Sequence, residues 1–360
     1  MNEPINLLDY EAQARQALPK AWFEYFAAGS GAEITVRENC TAFDSIRLRP
    51  HVLVPVGERD PSITLFGRTQ PTPFIIAPMA FQKLAHPDGE CATARACTQA
   101  GATFVASTVA TCSLEEIASA SPGPKWFQLY VFKDRGVTRS LVERAEAAGY
   151  EAIQVTVDVP VMGRREADVR NCFSLPEGFS AKNLESAGHG CMNSDGVESG
   201  PALYTKYLFD PNLSWNDITW LCSITKLPVL LKGILRGDDA SRAIDHGAAG
   251  VVVSNHGGRQ LDTSLPTIRA LPEVVDAVAG RGIVIHDGGI RRGIDVIKAL
   301  ALGATAVQVG RPVIWGLAVD GEAGVARVLS LLRDELDNVM ALCGTPSVKH
   351  ITRDLIASPY

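Results

Sequence analysis

Features that mark several classes of protein are missing from this sequence. No apolar run approaches the roughly 20 residues that a membrane-spanning helix needs, and the polar N-terminus lacks the apolar core of a signal peptide. The formal net charge of −6 gives no reason to expect binding to nucleic acid or to an anionic membrane. These absences predict a cytoplasmic protein whose partners include neither membranes nor nucleic acids.

The sequence also lacks the spacings that mark metal sites and dinucleotide sites. Its eight cysteines form no C-x-x-C pair and no zinc-like pattern, so we expect reduced thiols and no bound metal. No G-x-G-x-x-G motif opens the first strand–helix unit, which argues against a Rossmann-type dinucleotide site.

The composition, by contrast, is suited to burying a large core. The chain has 360 residues, of which 46% are hydrophobic and 21% charged, as in soluble globular proteins. This length suits either one large α/β barrel or two ordinary domains. Because no linker-like stretch separates two halves, we predict a single domain over 1–360.

Eight short apolar runs recur along the chain, and most are followed by a helical pattern that ends in glycine. The runs are continuous rather than alternating, which is typical of parallel strands covered on both faces. Eight such units favour a (β/α)8 TIM barrel over 71–345, with an open doubly wound sheet as the alternative. The predicted strands are 73–80, 102–108, 125–131, 152–158, 227–233, 250–255, 282–288 and 306–311.

Two segments fall outside this repeat. Residues 1–70 have the pattern of a helical cap that leads into the barrel. Residues 160–215, after the fourth strand, include a long polar stretch rich in glycine and serine. Because loops of this length in compact domains are usually functional lids or disordered segments, we predict a flexible active-site loop there.

A polar or otherwise special residue stands at the carboxyl end of each predicted strand. In a barrel these ends meet at one rim, where active sites lie. Any one of these residues could be a simple capping or loop residue, but together they predict a single site. They are Pro78, Met79, Ala80, Ser107, Thr108, Gln128, Tyr130, Thr156, Asp158, Lys232, Ser254, His256, Asp287, Gly310 and Arg311.

The last two strands are followed by loops suited to a phosphate group. In 286–293, Gly288 and Gly289 let backbone amides approach an anion, and Arg291 can neutralise it. In 309–312, Gly310 and Arg311 repeat the combination. Barrel enzymes typically bind phosphate with these two loops. The alternative is a pair of glycine turns with solvated arginines.

The sixth strand ends in SNHGGRQ, which combines a proton acceptor with an anion-binding side chain. The neutral imidazole of His256 can accept a proton near neutral pH, and the guanidinium of Arg259 can hold a carboxylate by two hydrogen bonds. The charged end of Lys232 either reaches solvent from a buried aliphatic stem, or it lies where negative charge develops during a reaction. These features predict a barrel enzyme that acts on a small carboxylate with a phosphorylated cofactor.

Seven sequence blocks resemble the FMN-dependent L-2-hydroxy acid oxidase family, whose members include glycolate, lactate and hydroxymandelate oxidases. The resemblance runs from about residue 6 to residue 351. The blocks, in chain order, are APMAFQKLAHPDGE, FQLYVFKDR, TVDVPVMGRREADVRN, LLKGIL, SNHGGRQLD, DGGIRRGIDVIKALALGA and VGRPVIWGLAVDGEAGV.

The resemblance implies FMN as the cofactor and a role for each matched residue. His256 is the expected active-site base with Asp158 as its partner, Arg165 and Arg259 bind the substrate carboxylate, and Lys232 lies beside flavin N1 and O2. Tyr25 and Tyr130 contact the carboxylate and hydroxyl of the substrate. The remaining matched positions are Ala77, Pro78, Met79, Ala80, Ser107, Gln128, Thr156 and Ser254 for the flavin ring, Asp287 for the ribityl chain, and Gly288, Gly289, Arg291, Gly310 and Arg311 for the phosphate.

Two departures from the glycolate oxidase pattern concern the choice of substrate. Val109 stands where those enzymes typically have Trp, and Met79 stands where they typically have Thr. The smaller Val109 should open the pocket, so we expect oxidation of L-lactate, with glycolate or an aromatic acid such as (S)-mandelate as alternatives. His286 stands where many relatives have Leu, and a structural role is expected for it rather than that of a second base.

Electron acceptor and assembly are predicted from the resemblance alone. An oxidase would reoxidise the flavin with O2 and release H2O2. The alternatives are a dehydrogenase that passes electrons to quinone or cytochrome, and a catalytically silent barrel that binds FMN. A haem domain or an apolar, basic membrane-binding insert would favour the dehydrogenase, and we expect neither. The resemblance also predicts a homo-oligomer, either a tetramer or an octamer.

Overall fold

Eight parallel strands close into a barrel in a computed structural model that describes residues 3–191 and 198–357. A two-stranded antiparallel hairpin, β1–β2, precedes them. The predicted (β/α)8 barrel is therefore confirmed, and the open doubly wound sheet is excluded. The strands are β1 Ile63–Leu65, β2 Arg68–Gln70, β3 Phe74–Ile76, β4 Thr103–Ser107, β5 Lys125–Leu129, β6 Ile153–Thr156, β7 Val229–Ile234, β8 Gly250–Val253, β9 Ile283–Asp287 and β10 Ala306–Val309.

Helices surround the barrel and follow its strands. The long last helix is interrupted at Asp320 and Gly321, where the backbone leaves helical geometry. The helices are α1 Leu7–Ala17, α2 Lys20–Ala27, α3 Ile34–Thr41, α4 Gly89–Ala100, α5 Leu114–Ala120, α6 Arg135–Ala147, α7 Glu166–Arg170, α8 Gly200–Leu208, α9 Trp215–Ile224, α10 Gly237–Asp245, α11 Thr267–Val278, α12 Gly293–Ala301 and α13 Arg311–Cys343. Within the described residues, none of these helices is both long and apolar enough to cross a membrane.

The barrel strands are buried on both faces, which explains why they appear as continuous apolar runs in the sequence. Every residue of β3, β4, β5, β6, β8 and β10 is buried. The register of the strands aligns residues destined for the rim, since Ser107 pairs with Gln128 and Thr156 pairs with Lys232. The side chains at the carboxyl ends of adjacent strands are therefore brought side by side.

The segment before the barrel contains helices and also a hairpin that the sequence did not predict. Helices α1, α2 and α3 lie in the predicted cap, as expected, but β1 and β2 follow them. Ile63 and Leu65 of the hairpin form one apolar cluster with Trp126, Leu230 and Val252 from the amino-terminal half of the barrel. The hairpin thus closes the end of the barrel opposite the rim.

The predicted loop over 160–215 contains regular structure. It holds the short helix α7, a 3-10 helix at Lys182–Ala187, helix α8 and the first turn region of α9. Residues 192–197 of this loop lie outside the described residues. Tyr204 of α8 and the following Phe209 are buried. That this segment moves during catalysis stays a prediction.

Candidate active site

The carboxyl ends of the barrel strands line an open cleft of about 1240 Å³, part of which is bulk solvent. Almost all the residues predicted from the strand ends and from the resemblance contribute to its wall. The predicted residues that line it are Tyr25, Ala77, Pro78, Met79, Ala80, Ser107, Val109, Gln128, Tyr130, Thr156, Arg165, Lys232, His256, Arg259, Asp287, Gly288, Gly289, Arg291, Gly310 and Arg311.

Three predicted rim residues do not line the cleft. Thr108 is fully buried, and its hydroxyl donates to the Gln128 carbonyl at 2.7 Å. The other two, Asp158 and Ser254, lie directly behind the wall. Asp158 Oδ1 is 3.0 Å from His256 Nδ1. The Ser254 hydroxyl is fully buried, accepts a hydrogen bond from Lys232 and donates one to Asp287. Both residues therefore contact the cleft through a neighbouring side chain that lines it.

His256 is held in an unusual backbone conformation just after β8. Its φ of 60° lies in the left-handed region, which costs a residue with a β-carbon about 1–2 kcal/mol. The backbone N–H of His256 donates to the Ser254 hydroxyl at 3.0 Å, and Nδ1 donates to Asp158. With Nδ1 bonded to Asp158, the Nε2 lone pair of the neutral ring is left for a proton.

Burial and charge determine the protonation of this pair. Burial lowers the pKa of His256, more than the negative charge of Asp158 raises it. Burial alone would raise the pKa of Asp158, but the charge and hydrogen bond of His256 and the charge of Lys232 bring it below its usual value. Near neutral pH the site therefore holds a carboxylate and a neutral imidazole, which is the protonation state of a general base.

A bulge in β7 lets Asp158 reach this position. The register between β7 and β8 shifts between Lys232 and Ile234, at Gly233, which has a φ of +111°. A Cβ at Gly233 would lie 2.6 Å from the Asp158 Cβ, so any other residue would displace the carboxylate. The glycine in LLKGIL is thus required by the close approach of Asp158.

The guanidinium groups of buried Arg165 and half-buried Arg259 both line the cleft. Arg259 Nη1 donates to the carbonyl of Tyr25 at 2.6 Å and to the carbonyl of Ala28 at 3.1 Å. Arg165 lies 3.8 Å from the Asp168 carboxylate, while its buried Nε has no hydrogen-bond partner within the described residues. Burial, with repulsion from Arg165, lowers the pKa of Arg259 to about 10. This pair has positive charge available for an anion.

A second cationic region suits a phosphate group. Arg311 is held by the carbonyls of Phe26 and Ala28, at 3.0 and 3.3 Å. Burial, followed by repulsion from Arg259 and Arg291, lowers its pKa to about 9. Within residues 3–191 and 198–357, neither Arg311 nor Arg291 forms an ion pair with a carboxylate. Both side chains are half-buried. Cations shielded from water without a counter-ion are unfavourable, so an anion bound here would stabilise them.

The glycine turn beside these arginines cannot accept a side chain. Gly289 has a φ of +79°, and a Cβ placed on it would lie 1.9 Å from the carbonyl oxygen of Asn39. The loop is packed against the end of α3, and the backbone there stays bare. Together with the two unpaired arginines, this turn fits the phosphate of FMN, as the two late loops predict.

The centre of the cleft holds polar groups with fixed orientations. Lys232 Nζ donates to Ser254 Oγ at 2.9 Å and lies 3.3 Å from the Asp287 carboxylate. The side-chain nitrogen of Gln128 donates to Thr156 Oγ1 at 2.9 Å, so the other end of this amide is the acceptor oxygen. A cation and an oriented amide next to an apolar wall fit the heteroatom edge of a flavin ring.

The wall for a substrate side chain includes residues that sequence reasoning missed. Met79 and Val109 line the cleft as predicted, but Phe209, Tyr204 and Met162 do so as well. Phe209 stacks on Tyr130 with ring centroids 4.4 Å apart. Met162 lies within the block TVDVPVMGRREADVRN, but no role was predicted for it. No motif marks Tyr204 of α8 or the following Phe209, which reach the cleft only through the path of the 160–215 segment. Asp168, beside Arg165, was also missed.

His286 lies away from the cleft, as expected for a structural histidine. It is fully buried, its Nε2 donates to the Gly288 carbonyl at 2.9 Å, and Phe43 packs edge-on against its ring. Burial lowers its pKa to about 4, so the ring is neutral. Among the described residues there is no cluster of three His, Cys, Asp or Glu side chains that could hold a metal ion.

Comparison with known proteins identifies the family of the chain. Residues 14–358 match the family model described as FMN-dependent dehydrogenase. The chain is 52% identical to the L-lactate oxidase of Nostoc sp. over 98% of this chain and 97% of the relative. It is 50% identical to the glycolate oxidase of Spinacia oleracea over 99% of this chain and 97% of the relative.

Among solved structures, a mandelate oxidase bound to (S)-4-hydroxymandelic acid superposes with a TM-score of 0.94. It is 45% identical, and the match covers 98% of both chains. The predicted family, enzyme class, fold and FMN cofactor are confirmed by these comparisons. This chain belongs to the FMN-dependent dehydrogenase family and is an FMN-dependent oxidoreductase.

Proposed function

We propose that this protein oxidises a small L-2-hydroxy acid, with L-lactate as the preferred substrate, to the 2-oxo acid. Molecular oxygen is the electron acceptor, and hydrogen peroxide is the second product. The observation that carries this proposal is the placement of His256. It is hydrogen-bonded to Asp158 and lines the same cleft as Arg165 and Arg259. The buried Nε of Arg165 has no hydrogen-bond partner within the described residues.

Arg165 and Arg259 bind the substrate carboxylate in this proposal. Arg165 is buried and Arg259 is half-buried, and the carboxylate near them within the described residues, Asp168, makes only a long contact to Arg165. A substrate carboxylate would satisfy the free Nε of Arg165 and lessen the repulsion between the two guanidinium groups. Tyr25, whose ring lies 5.1 Å from the Arg259 guanidinium, and Tyr130 would donate hydrogen bonds to the same substrate.

His256 takes the proton that leaves the substrate during oxidation. Its free Nε2 is the acceptor, and Asp158 stabilises the imidazolium that forms. Bound FMN supplies the two-electron acceptor. Lys232 and Gln128 would hold the ring, Asp287 the ribityl chain, and the glycine loops with Arg291 and Arg311 the phosphate. Lys232 also places a positive charge where the ring must accept electrons.

The wall of the cleft favours a substrate that carries a side chain larger than the hydrogen atom of glycolate. Val109 and Met79 leave an apolar space bounded by Phe209 and Tyr204, which suits the methyl group of L-lactate. An L-lactate oxidase is 52% identical to this chain and a glycolate oxidase is 50% identical, so the identities do not rank these two substrates. Glycolate and an aromatic 2-hydroxy acid are the second candidates, since glycolate oxidases and a mandelate oxidase are similar to this chain.

Steady-state kinetics in an oxygen electrode test this proposal. We expect kcat/KM for L-lactate to exceed the values for glycolate, 2-hydroxybutyrate and (S)-mandelate, and we expect D-lactate to be inert. Added catalase should return part of the consumed oxygen, because the product is peroxide. Turnover only with a quinone or a dye would support a dehydrogenase, and a flavoprotein that no 2-hydroxy acid reduces would support a silent barrel.

A further inference from the structure

Two cysteines lie against each other beside the cleft. Cys91 is in the first turn of α4, and Cys112 is in the turn between β4 and α5. The Cys91 amide donates to the Asp88 carbonyl at 3.1 Å, and the Cys112 thiol contacts the same oxygen at 3.9 Å. Each thiol also shifts the pKa of the other through a side-chain interaction, so the two sulfur atoms are near one another. Two independent segments thus bring the sulfur atoms together.

A buried carboxylate fixes this arrangement. Glu90 is fully buried and accepts hydrogen bonds from the Cys112 amide at 3.1 Å and from the Thr111 amide at 2.9 Å. It also accepts from the Gln82 amide at 3.0 Å. Because Glu90 adjoins Cys91 in the chain, its hydrogen bonds anchor the turn that carries Cys112 to the first turn of α4. The sulfur contact is therefore a built feature of the fold.

We propose that Cys91 and Cys112 form a reversible disulfide when hydrogen peroxide oxidises the protein. Peroxide is the second product of the proposed function, so the enzyme would supply the oxidant itself, and this source rests on that proposed function. The pair is then a modification site separate from the residues that bind FMN and substrate.

The chemistry needs only the two thiols and one peroxide molecule. The Cys91 thiolate attacks a peroxide oxygen, the O–O bond breaks, and the leaving hydroxide takes up the thiol proton as water. The Cys112 sulfur then attacks the Cys91 sulfenic acid, the S–S bond forms, the S–O bond breaks, and a second water leaves with the Cys112 proton. The sulfur atoms lose two electrons in total, which reduce the peroxide.

Exposure and charge give the two sulfur atoms different roles. Cys91 is half-buried, whereas Cys112 is buried. The interaction with Cys112 lowers the pKa of the Cys91 thiol. This lowering outweighs burial and the charges of Glu90 and Glu116, which raise the pKa. The same interaction and burial raise the pKa of Cys112. Peroxide therefore reacts with Cys91, and Cys112 resolves the sulfenic acid.

The disulfide would tie together two segments that carry the walls of the cleft. The Phe81 amide donates to the Val109 carbonyl at 3.4 Å, and the Lys83 amide donates to Thr111 Oγ1 at 3.1 Å. These bonds already join the segment after β3, which bears Met79, to the segment after β4, which bears Val109. A covalent bond next to them would restrict their separation, so the oxidised holoenzyme should unfold at a higher temperature than the reduced one.

Peptide mapping of the FMN-loaded protein tests the pair. Reduced holoenzyme is treated with hydrogen peroxide, alkylated under denaturing conditions and digested with trypsin. We expect a disulfide between peptides 84–95 and 96–125, a mass loss of about 2 Da per chain, and reversal by dithiothreitol. Two of the eight thiols should escape alkylation. Recovery of Cys91 as a sulfinic or sulfonic acid with Cys112 alkylated would overturn the proposal.

Single variants identify the partner, because peptide 96–125 also contains Cys97. Cys112→Ser and Cys91→Ser should each abolish the cross-link and the thermal shift, while both keep a small polar side chain at the site. Cys172→Ser, at an exposed cysteine, is the matched control and should leave the cross-link intact. A cross-link that persists in Cys112→Ser would assign the bond to Cys97 and contradict the proposal.

A turnover experiment separates the source of the peroxide from the pair. Enzyme given L-lactate and oxygen, without added peroxide, should form the same cross-link, and catalase should suppress it. A cross-link with added peroxide but none during turnover would contradict peroxide formation in the proposed function. No cross-link with added peroxide would contradict the thiol pair, whatever the enzyme makes.

Discussion

The two ends of the barrel interior are built from the same strands and have opposite properties. At the amino end, Leu230, Val252 and Ile285 pack with the hairpin into a dry cluster. Two residues further along the same three strands stand Lys232, Ser254 and Asp287, which form a buried network of an ion pair and hydrogen bonds. Because side chains alternate along a strand, each pair shares one inward face. A single step of two residues thus separates the core from the site.

The same step recurs in two other strands. Val105 and Trp126 belong to the dry cluster, and Ser107 and Gln128, two residues later, line the cleft. The comparison teaches that the stability of the barrel and the chemistry of its rim are separate layers of one interior. Substitutions in the lower layer should therefore affect folding, and substitutions in the upper layer should affect reactivity.

Removal of the base should give the largest effect at the rim. We expect His256→Ala to bind FMN but to slow substrate-dependent flavin reduction by about 10²–10⁴-fold, the usual contribution of a positioned general base. Anaerobic stopped-flow absorbance measures this rate. His286→Leu is the matched control, since His286 is buried outside the cleft, and it should keep most of the activity. Near-normal reduction in His256→Ala would remove this residue from the role of base.

At the opposite end, loss of apolar volume should affect stability alone. Leu230 is fully buried in the dry cluster, so Leu230→Ala should lower the free energy of unfolding by about 2–5 kcal/mol. Urea denaturation of the holoprotein measures the loss. The kcat of the folded fraction should match that of the unmodified enzyme. A large fall in kcat with unchanged stability would break the distinction between the two layers.

Lys232, two residues further on, should show the reverse behaviour. Lys232→Met keeps the apolar stem but removes the charge, so we expect flavin reduction to slow by about tenfold or more, equivalent to roughly 1.4 kcal/mol of activation free energy. The reduction rate constant at saturating substrate checks this expectation. An unchanged rate constant would show that the cation does not assist electron acceptance.

The pH profile should report His256 directly. Burial lowers the pKa of this imidazole, so the neutral, active form should persist to a pH below the usual midpoint of about 6.5. We expect kcat/KM for reduction to be flat near neutral pH and to fall as acid protonates the ring. A midpoint above pH 7 would mean that the charge of Asp158 raises the pKa of His256 more than burial lowers it. In the structure, burial has the larger effect on this pKa.

Substrate choice should change by the smallest amount. Val109→Trp fills part of the cleft, so we expect the ratio of kcat/KM for glycolate to that for L-lactate to rise by about tenfold. One methylene group in a hydrophobic pocket typically changes kcat/KM by an amount of this order. Val109→Leu serves as the control, with a smaller shift in the same direction. A ratio that does not move would place the side-chain pocket elsewhere, for example at Phe209.

Much of this layered interior could be predicted from the sequence because it follows from local patterns. Continuous apolar runs marked the eight strands, and polar residues at their ends marked the rim. The hairpin β1–β2 was missed because β2 is polar and mostly exposed, so no continuous apolar run marks it. Phe209 and Asp168 were missed because their positions depend on the path of an irregular segment. The left-handed φ of His256 and the contact of Cys91 with Cys112 also depend on tertiary packing rather than on spacing.

Anaerobic mixing of the FMN-loaded protein with L-lactate tests the central claim most directly. The claim is that His256, Arg165 and Arg259 form a site that oxidises an L-2-hydroxy acid. We predict that L-lactate bleaches the yellow flavin within the time of a single turnover, that D-lactate does not, and that oxygen restores the colour with formation of peroxide. Flavin that stays oxidised with L-lactate, glycolate and (S)-mandelate alike would contradict it.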